Sequence, residues 1–200
     1  MQKLMTRAVN IIVRPDAEWA AIALERDQWW RVWWRYLAPL ALISPLAFGG
    51  GVLLAGEGAL RYFPDSGAAL LFALLAAAGG FITALAAVTA TALATRLVMP
   101  LYRGRRDFGD AFRLVAYAGT PAWLSGIVLL APLQRFPLLV IVILIGLMHS
   151  LYLFYLGLHY LAEVPRGDAA ECAAIVTVAS VLLSSVIGYF GSAAGLFPHL

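Results

Sequence analysis

Five long apolar stretches, separated by short polar segments, dominate the chain after its first 35 residues. A helix needs about 20 mostly apolar residues to cross ~30 Å of hydrocarbon, and each stretch is roughly that long. Charged residues fall only near the ends of the stretches, so we expect no span to need a buried ion pair. The pattern predicts an all-α polytopic membrane protein, a bundle of five transmembrane helices. The predicted spans are Tyr36 to Ala55, Ala68 to Ala94, Leu114 to Ala131, Leu138 to Leu161 and Ala169 to Tyr189.

The second stretch is longer than a bilayer requires. A straight helix of about 27 residues would measure ~40 Å. We therefore expect this span to tilt, to break at Gly79 and Gly80, or to extend beyond the membrane. Prolines predict kinks in two other spans, because each proline removes one backbone hydrogen bond from its helix. They are Pro39 and Pro45 in the first span and Pro121 in the third.

Residues 1–35 precede the spans and are interpreted as a cytoplasmic, interfacial cap. Apolar residues recur at helical spacing from Met5 to Val13, which predicts an amphipathic helix, and Pro15 suits the first turn of a second helix. Tryptophans interleaved with arginines follow, a composition typical of the lipid headgroup layer. We predict an interfacial anchor, with a partner-docking groove as the alternative. The tryptophans are Trp19, Trp29, Trp30, Trp33 and Trp34.

Composition supports a single membrane domain over residues 36–200. Hydrophobic residues make up 62% of the chain and charged residues 12%, and the mean hydropathy is +0.86, well above an ordinary soluble domain. The single Cys172 excludes an internal disulfide. No motif for nucleophilic catalysis, phosphate binding or metal binding is present. We expect a non-enzymatic protein without cofactor or metal.

The basic residues predict the orientation. If the N-terminus is cytoplasmic, 12 of the 14 lysines and arginines also face the cytoplasm, and only Arg61 and Arg135 lie outside. This bias follows the positive-inside rule, so we predict a cytoplasmic N-terminus and a C-terminus on the opposite side. The net charge of +3 is explained by this topology, and no nucleic-acid partner is expected.

An arginine-rich loop connects the second and third spans. Arg103, Arg105 and Arg106 are predicted to hold anionic lipid headgroups at about 1 kcal/mol each, or simply to keep the loop in the cytoplasm. Asp110 is expected to cap the third span. The expected partners are membrane lipids and, beyond these, other membrane proteins or further copies of the chain.

His149 is the one titratable residue near the middle of a predicted span, with Tyr152 on roughly the same helix face. Its structural interpretation is an interhelical hydrogen bond, for example to Thr120 or Tyr117, worth about 0.6 to 2 kcal/mol. Its functional interpretation is a polar site in a small transporter or channel. The latter requires a wet cavity that reaches His149.

Two segments resemble the Yip (Ypt-interacting protein) domain family. The first is LYRGRRDFGDAFRLVAYAGTPAWLSGIVLLAP, and the second is HSLYLFYLGLHYLAEVPRGDAAECAAIVTVAS, with the core Leu151 to Leu158. The Arg-Pro-x-x-x-Trp pattern from Arg14 to Trp19 is also similar.

The resemblance implies a five-span bundle with the orientation given above, in a prokaryotic-type member of a bacterial inner membrane. Eukaryotic relatives act in vesicle traffic by binding small GTPases. The long polar arm of those trafficking members is not found in this sequence. The resemblance therefore implies a membrane-organising or partner-binding scaffold of undefined role.

Overall fold

The structure is a computed structural model that describes residues 2–25, 28–54, 63, 65–131 and 136–193. The described residues form helices and turns and contain no strand. Five helices are long and apolar enough to cross a membrane, which confirms the predicted fold class. They run over Trp29–Leu54, Ser66–Tyr102, Phe108–Leu130, Pro137–Ala162 and Arg166–Ala193, and we call them the first to fifth spans.

Two short helices precede the first span, α1 over Gln2–Val13 and α2 over Pro15–Leu24. As predicted, α1 is amphipathic. Of its apolar residues, Ile11 is fully buried, whereas Met5 and Val9 are exposed. Pro15 lies in the first turn of α2, where backbone N–H groups have no acceptor within the helix. The N–H that proline lacks therefore costs the helix no hydrogen bond.

The first span begins at Trp29, seven residues before the predicted Tyr36. Hydropathy locates the hydrocarbon-crossing segment, and the helix continues past it into the tryptophan-rich sequence. The span comprises a π-helical turn between α-helical pieces and is interrupted at Leu42, three residues before Pro45, which has no backbone N–H to donate. Its pieces are Trp29–Val32, Trp33–Leu37, Ala38–Ala41 and Ile43–Leu54.

The second span is continuous. One α-helix runs over Ser66–Val98, through Gly79 and Gly80, and a 3-10 turn over Met99–Tyr102 follows. Its 33 α-helical residues would measure about 50 Å, which exceeds the hydrocarbon thickness. The predicted break at Gly79 and Gly80 is therefore excluded. Of the three predicted alternatives for the second span, tilt and extension beyond the bilayer are left.

The third span begins at Phe108, six residues before the predicted Leu114, because Asp107 caps it. The Asp107 carboxylate accepts a hydrogen bond from the Asp110 backbone N–H at 2.8 Å. The prediction that Asp110 is the cap was therefore wrong. The helix is interrupted at Gly119, two residues before Pro121. Its pieces are Phe108–Ala118, Thr120–Ser125 and the 3-10 helix Gly126–Leu130.

The fourth and fifth spans are uninterrupted α-helices, Phe136–Ala162 and Arg166–Ala193, joined by the short turn 163–165. The segments that contain Arg61 and Arg135, the two basic residues predicted to lie outside, are not among the described residues.

A single hydrophobic core joins α1 and α2 to the spans. Trp19 of α2 is fully buried, and its ring lies so close to Gly157 of the fourth span that a Cβ there would approach it to 2.7 Å. The prediction that Trp19 lies at the interface was wrong. The N-terminal helices are packed onto the bundle.

Candidate functional site

Charged side chains gather at one end of the bundle, which we call the charged end. It is formed by α1, α2, the start of the first span, the loop 103–107 and the turn 163–165. Of the charged side chains that the structure describes, only Asp65 lies at the opposite end, where it caps the second span.

Arg7 ties α1 to α2 and to the third span. Its guanidinium donates to the Glu25 carboxylate at 2.6 Å and to the Tyr117 hydroxyl at 3.2 Å. It also lies 3.3 Å from a Glu18 carboxylate oxygen and 5.4 Å from the centroid of the Tyr117 ring. The hydrogen bond from Arg7 holds the pKa of Glu25 below its usual value, and the charges of Arg7 and Arg113 act in the same direction.

Arg113 makes a buried ion pair with Asp110, one helical turn earlier in the third span, and both side chains are only about one-tenth exposed. The guanidinium of Arg113 also donates to the backbone carbonyls of Ile22 and Glu25. Carbonyls at the end of a helix lack intrahelical donors, so Arg113 caps the C-terminus of α2. The expectation that no span needs a buried ion pair was wrong.

The arginine loop is fixed to the turn between the fourth and fifth spans. The Arg105 backbone N–H donates to the Ala162 carbonyl at 2.9 Å, and its side chain donates to Glu163 at 3.1 Å. Gly104 allows this approach, because a Cβ at this position would lie 2.7 Å from the Val164 side chain.

The three predicted lipid-binding arginines are thus in unequal situations. Arg105 is paired with Glu163, a hydrogen bond that raises the pKa of Arg105. Arg103 is 4.0 Å from Asp168 with its side chain 83% exposed. Arg106 is exposed and makes no hydrogen bond or ion pair within the described part of the chain. Contact with lipid headgroups remains a prediction for all three.

A polar cavity of about 1080 Å³ opens at the charged end, and we call it the charged basin. Trp29 and Trp30 line it, whereas Trp33 and Trp34 do not. Trp29 also packs edge-on against Phe108, with ring centroids 5.5 Å apart. The remaining aromatic and charged residues of its walls are Glu25, Arg105, Asp107, Phe108, Asp110, Arg113, Tyr160 and Glu163.

The intramembrane polar candidates do not form one site. The Thr120 hydroxyl lies 2.7 Å from the Tyr36 hydroxyl and donates to the Tyr117 carbonyl at 2.6 Å. His149 contacts Tyr152 edge-on, and its Nε2 is buried without a hydrogen-bond partner among the described residues. The predicted bond from His149 to Thr120 or Tyr117 is not formed through Nε2.

A second cavity, of about 740 Å³, lies at membrane depth between the second, third, fourth and fifth spans. We call it the intramembrane groove. Ser150 and Leu147 of the fourth span line it, whereas His149 between them does not. The groove thus gives no support to a transport site at His149.

Sequence reasoning missed Arg7, Glu25, Asp110 and Tyr36 as members of the polar network. One signal was present, since Asp110 and Arg113 stand three residues apart and so share a helix face. The Arg7 contacts join residues far apart in sequence, for which a single chain gives no signal.

Among the described residues, no group of three or more histidines, cysteines and acidic residues is arranged to hold a metal ion. No characterised protein and no solved structure matches the chain. A comparison with protein families matches residues 9–194 to the Yip1 domain. The match covers α2, all five spans and most of the charged end, and the chain therefore belongs to the Yip1 domain family.

Proposed function

We propose that this protein is a non-enzymatic membrane scaffold that binds a protein partner at the charged basin. One observation carries the proposal. Ion pairs hold α1, α2, the arginine loop and the turn 163–165 around an open basin. Away from this end, the described parts of the spans carry no charged residue except the cap Asp65. The polar chemistry is thus concentrated on a surface that a partner can reach.

The walls of the basin have the composition of a protein-binding surface. Trp29 and Trp30 are 43% and 47% exposed. Tryptophan and arginine are enriched among the residues that dominate interface energies, since they combine large contact area with directed hydrogen bonds. The ion pairs keep the basin ordered before binding, which lowers the entropy cost of association.

The orientation supports the same function. The positive-inside rule predicts that the charged end faces the cytoplasm. The resemblance to prokaryotic-type members supports our proposal that the protein lies in a bacterial inner membrane. Arg103 and Arg106 lie at the rim of the charged end and would contact anionic headgroups while the basin holds the partner.

Partner capture after gentle solubilisation tests the proposal. The test variant changes Trp29, Trp30 and Arg105, which line the basin, to Ala. The control changes Arg14 and Arg166 to Ala, two exposed arginines of the charged end that do not line the basin. We expect the wild type and the control to retain a protein that the triple variant loses. Capture of the same proteins and lipids by all three samples would contradict the proposal, and thermal unfolding would verify that the triple variant is folded.

A further inference from the structure

The intramembrane groove arises because the fourth and fifth spans diverge. The two helices are joined by the turn 163–165, yet the fourth packs mainly against the third span and the fifth against the second. Leu147 and Leu151 form one wall of the resulting groove, and Thr177 and Ser180 form the other. Trp123 of the third span lies at its floor.

The groove lies within the hydrocarbon region. Ser150 is about twelve residues from the end of the fourth span at Ala162, which corresponds to ~18 Å along the helix. Ser180 is about fourteen residues from the start of the fifth span at Arg166, or ~21 Å. Both helices extend beyond the hydrocarbon at the charged end, so these distances place the groove near the middle of the bilayer.

Three hydroxyl groups of the groove are bonded within the protein. The Thr177 hydroxyl donates to the Ala173 carbonyl at 2.7 Å, and Ser180 donates to Val176 at 2.6 Å. The Ser150 hydroxyl accepts from the Ala122 backbone N–H at 3.1 Å. These three residues therefore supply small side chains to the groove. The Trp123 indole N–H, which also belongs to the lining, has no hydrogen-bond partner among the described residues. Most of the remaining lining consists of alanine, valine and leucine side chains, so the groove suits an apolar occupant better than a polar solute.

The mouth of the groove faces lipid. Leu147 is 50% exposed and Val181 is 61% exposed, and both belong to its lining. Exposed apolar faces of the fourth and fifth spans continue from the mouth, for example at Met148 and Leu182. In a membrane these faces contact acyl chains, so the groove is continuous with the lipid phase.

The volume of the intramembrane groove distinguishes between two apolar occupants, a neighbouring helix and a single hydrocarbon chain. A helix with its side chains is about 10–12 Å across, so two turns of a neighbouring helix fill roughly 1,000 Å³. The groove holds about 740 Å³, which is too small to enclose them. A single-file hydrocarbon chain requires only the width of a methylene group. We propose that the intramembrane groove binds one acyl chain of a phospholipid.

Native mass spectrometry in nanodiscs of phosphatidylglycerol with dibrominated stearoyl chains tests the proposal, since the bromine mass identifies the bound lipid. Ser180→Phe and Ser184→Phe each fill the groove, and Leu182→Phe adds the same bulk to an exposed position outside it. We expect one retained lipid on the wild type and on Leu182→Phe. Its occupancy should fall roughly tenfold in the groove variants, equivalent to about 1.4 kcal/mol.

Two results would overturn the proposal. Equal lipid retention by all four proteins would show that the groove holds no lipid. The wild type could instead form a dimer that becomes a monomer in Ser180→Phe and Ser184→Phe but not in Leu182→Phe. That result would show that the groove binds a second copy of the chain. Thermal unfolding shows whether each variant is folded. Because two groove positions are changed separately, a variant that does not fold leaves the other as the test.

Discussion

At the scale of single residues, charge is used in this protein to fasten the N-terminal helices to the membrane bundle. Arg113 satisfies a buried carboxylate in its own helix and backbone carbonyls at the end of α2. A buried charge without a partner is costly, so the interaction depends on both members of the pair. Asp110 and Arg113 are therefore coupled in stability.

Replacing Arg113 by Met is expected to reduce the free energy of unfolding by about 3–5 kcal/mol, because it leaves Asp110 buried without its partner. The double variant with Asp110→Asn should lose less than the sum of the two single variants, by about 0.5–3 kcal/mol. Unfolding in detergent micelles measures both quantities, and Arg14→Met is the exposed control. Additive losses would show that the two residues do not interact.

A second prediction at this scale concerns the stability effect of adding a methyl group at Gly157. A Cβ there would collide with the Leu114 side chain and lie 2.7 Å from the buried Trp19 ring. Gly157→Ala should therefore destabilise the protein by about 1–3 kcal/mol through overpacking. A methyl group added at Gly188, in the fifth span, would meet no atom within 4 Å, so Gly188→Ala should be neutral or slightly stabilising. Equal unfolding temperatures for the two variants would refute the close packing of α2.

At the scale of elements, the sequence predicts which segments cross the membrane better than it predicts where the helices begin and end. Apolar composition identifies all five spans, because hydrocarbon imposes the same requirement on each. Helix ends follow local hydrogen bonding instead: Asp107 caps the third span seven residues before its apolar stretch begins, and Asp65 caps the second. The attachment of α1 depends on Arg7, whose partners no sequence pattern identifies.

Acid should loosen α1. The pKa of Glu25 is lowered in the folded protein from its usual value near 4.5, so its contribution to stability is present above that value and is lost as the pH falls through the folded pKa. Hydrogen exchange of α1 amides, corrected for the intrinsic pH dependence, should be slow at neutral pH and faster below about pH 4.5.

Glu25→Gln is expected to accelerate exchange in α1 at neutral pH and to remove most of the acid response. Glu163→Gln, which breaks the exposed pair with Arg105 at the same end, is the matched control and should leave α1 unchanged. If Glu25→Gln shows the same acceleration of α1 exchange in acid as the wild type, a group other than Glu25 causes the acid response.

At the scale of the whole molecule, charge and hydrophobicity are separated along the membrane normal. This separation can be read from the sequence, since basic residues alternate with spans in a regular order. The charged basin could not be predicted in the same way, because Glu25, Asp110 and Glu163 come from three distant segments. Their proximity follows from the packing of α2 against the third and fourth spans.

Topology is the prediction that belongs to the molecule as a whole. A reporter active only in the cytoplasm should function when inserted after Arg106 and fail when fused after Ala193, because the opposite orientation would place about ten additional positive charges outside. The second span is continuous through Gly79 and Gly80, so a broken second span cannot supply an even number of crossings. A cytoplasmic reporter that works at both positions would therefore mean that one of the five long helices lies along the membrane surface instead of crossing it.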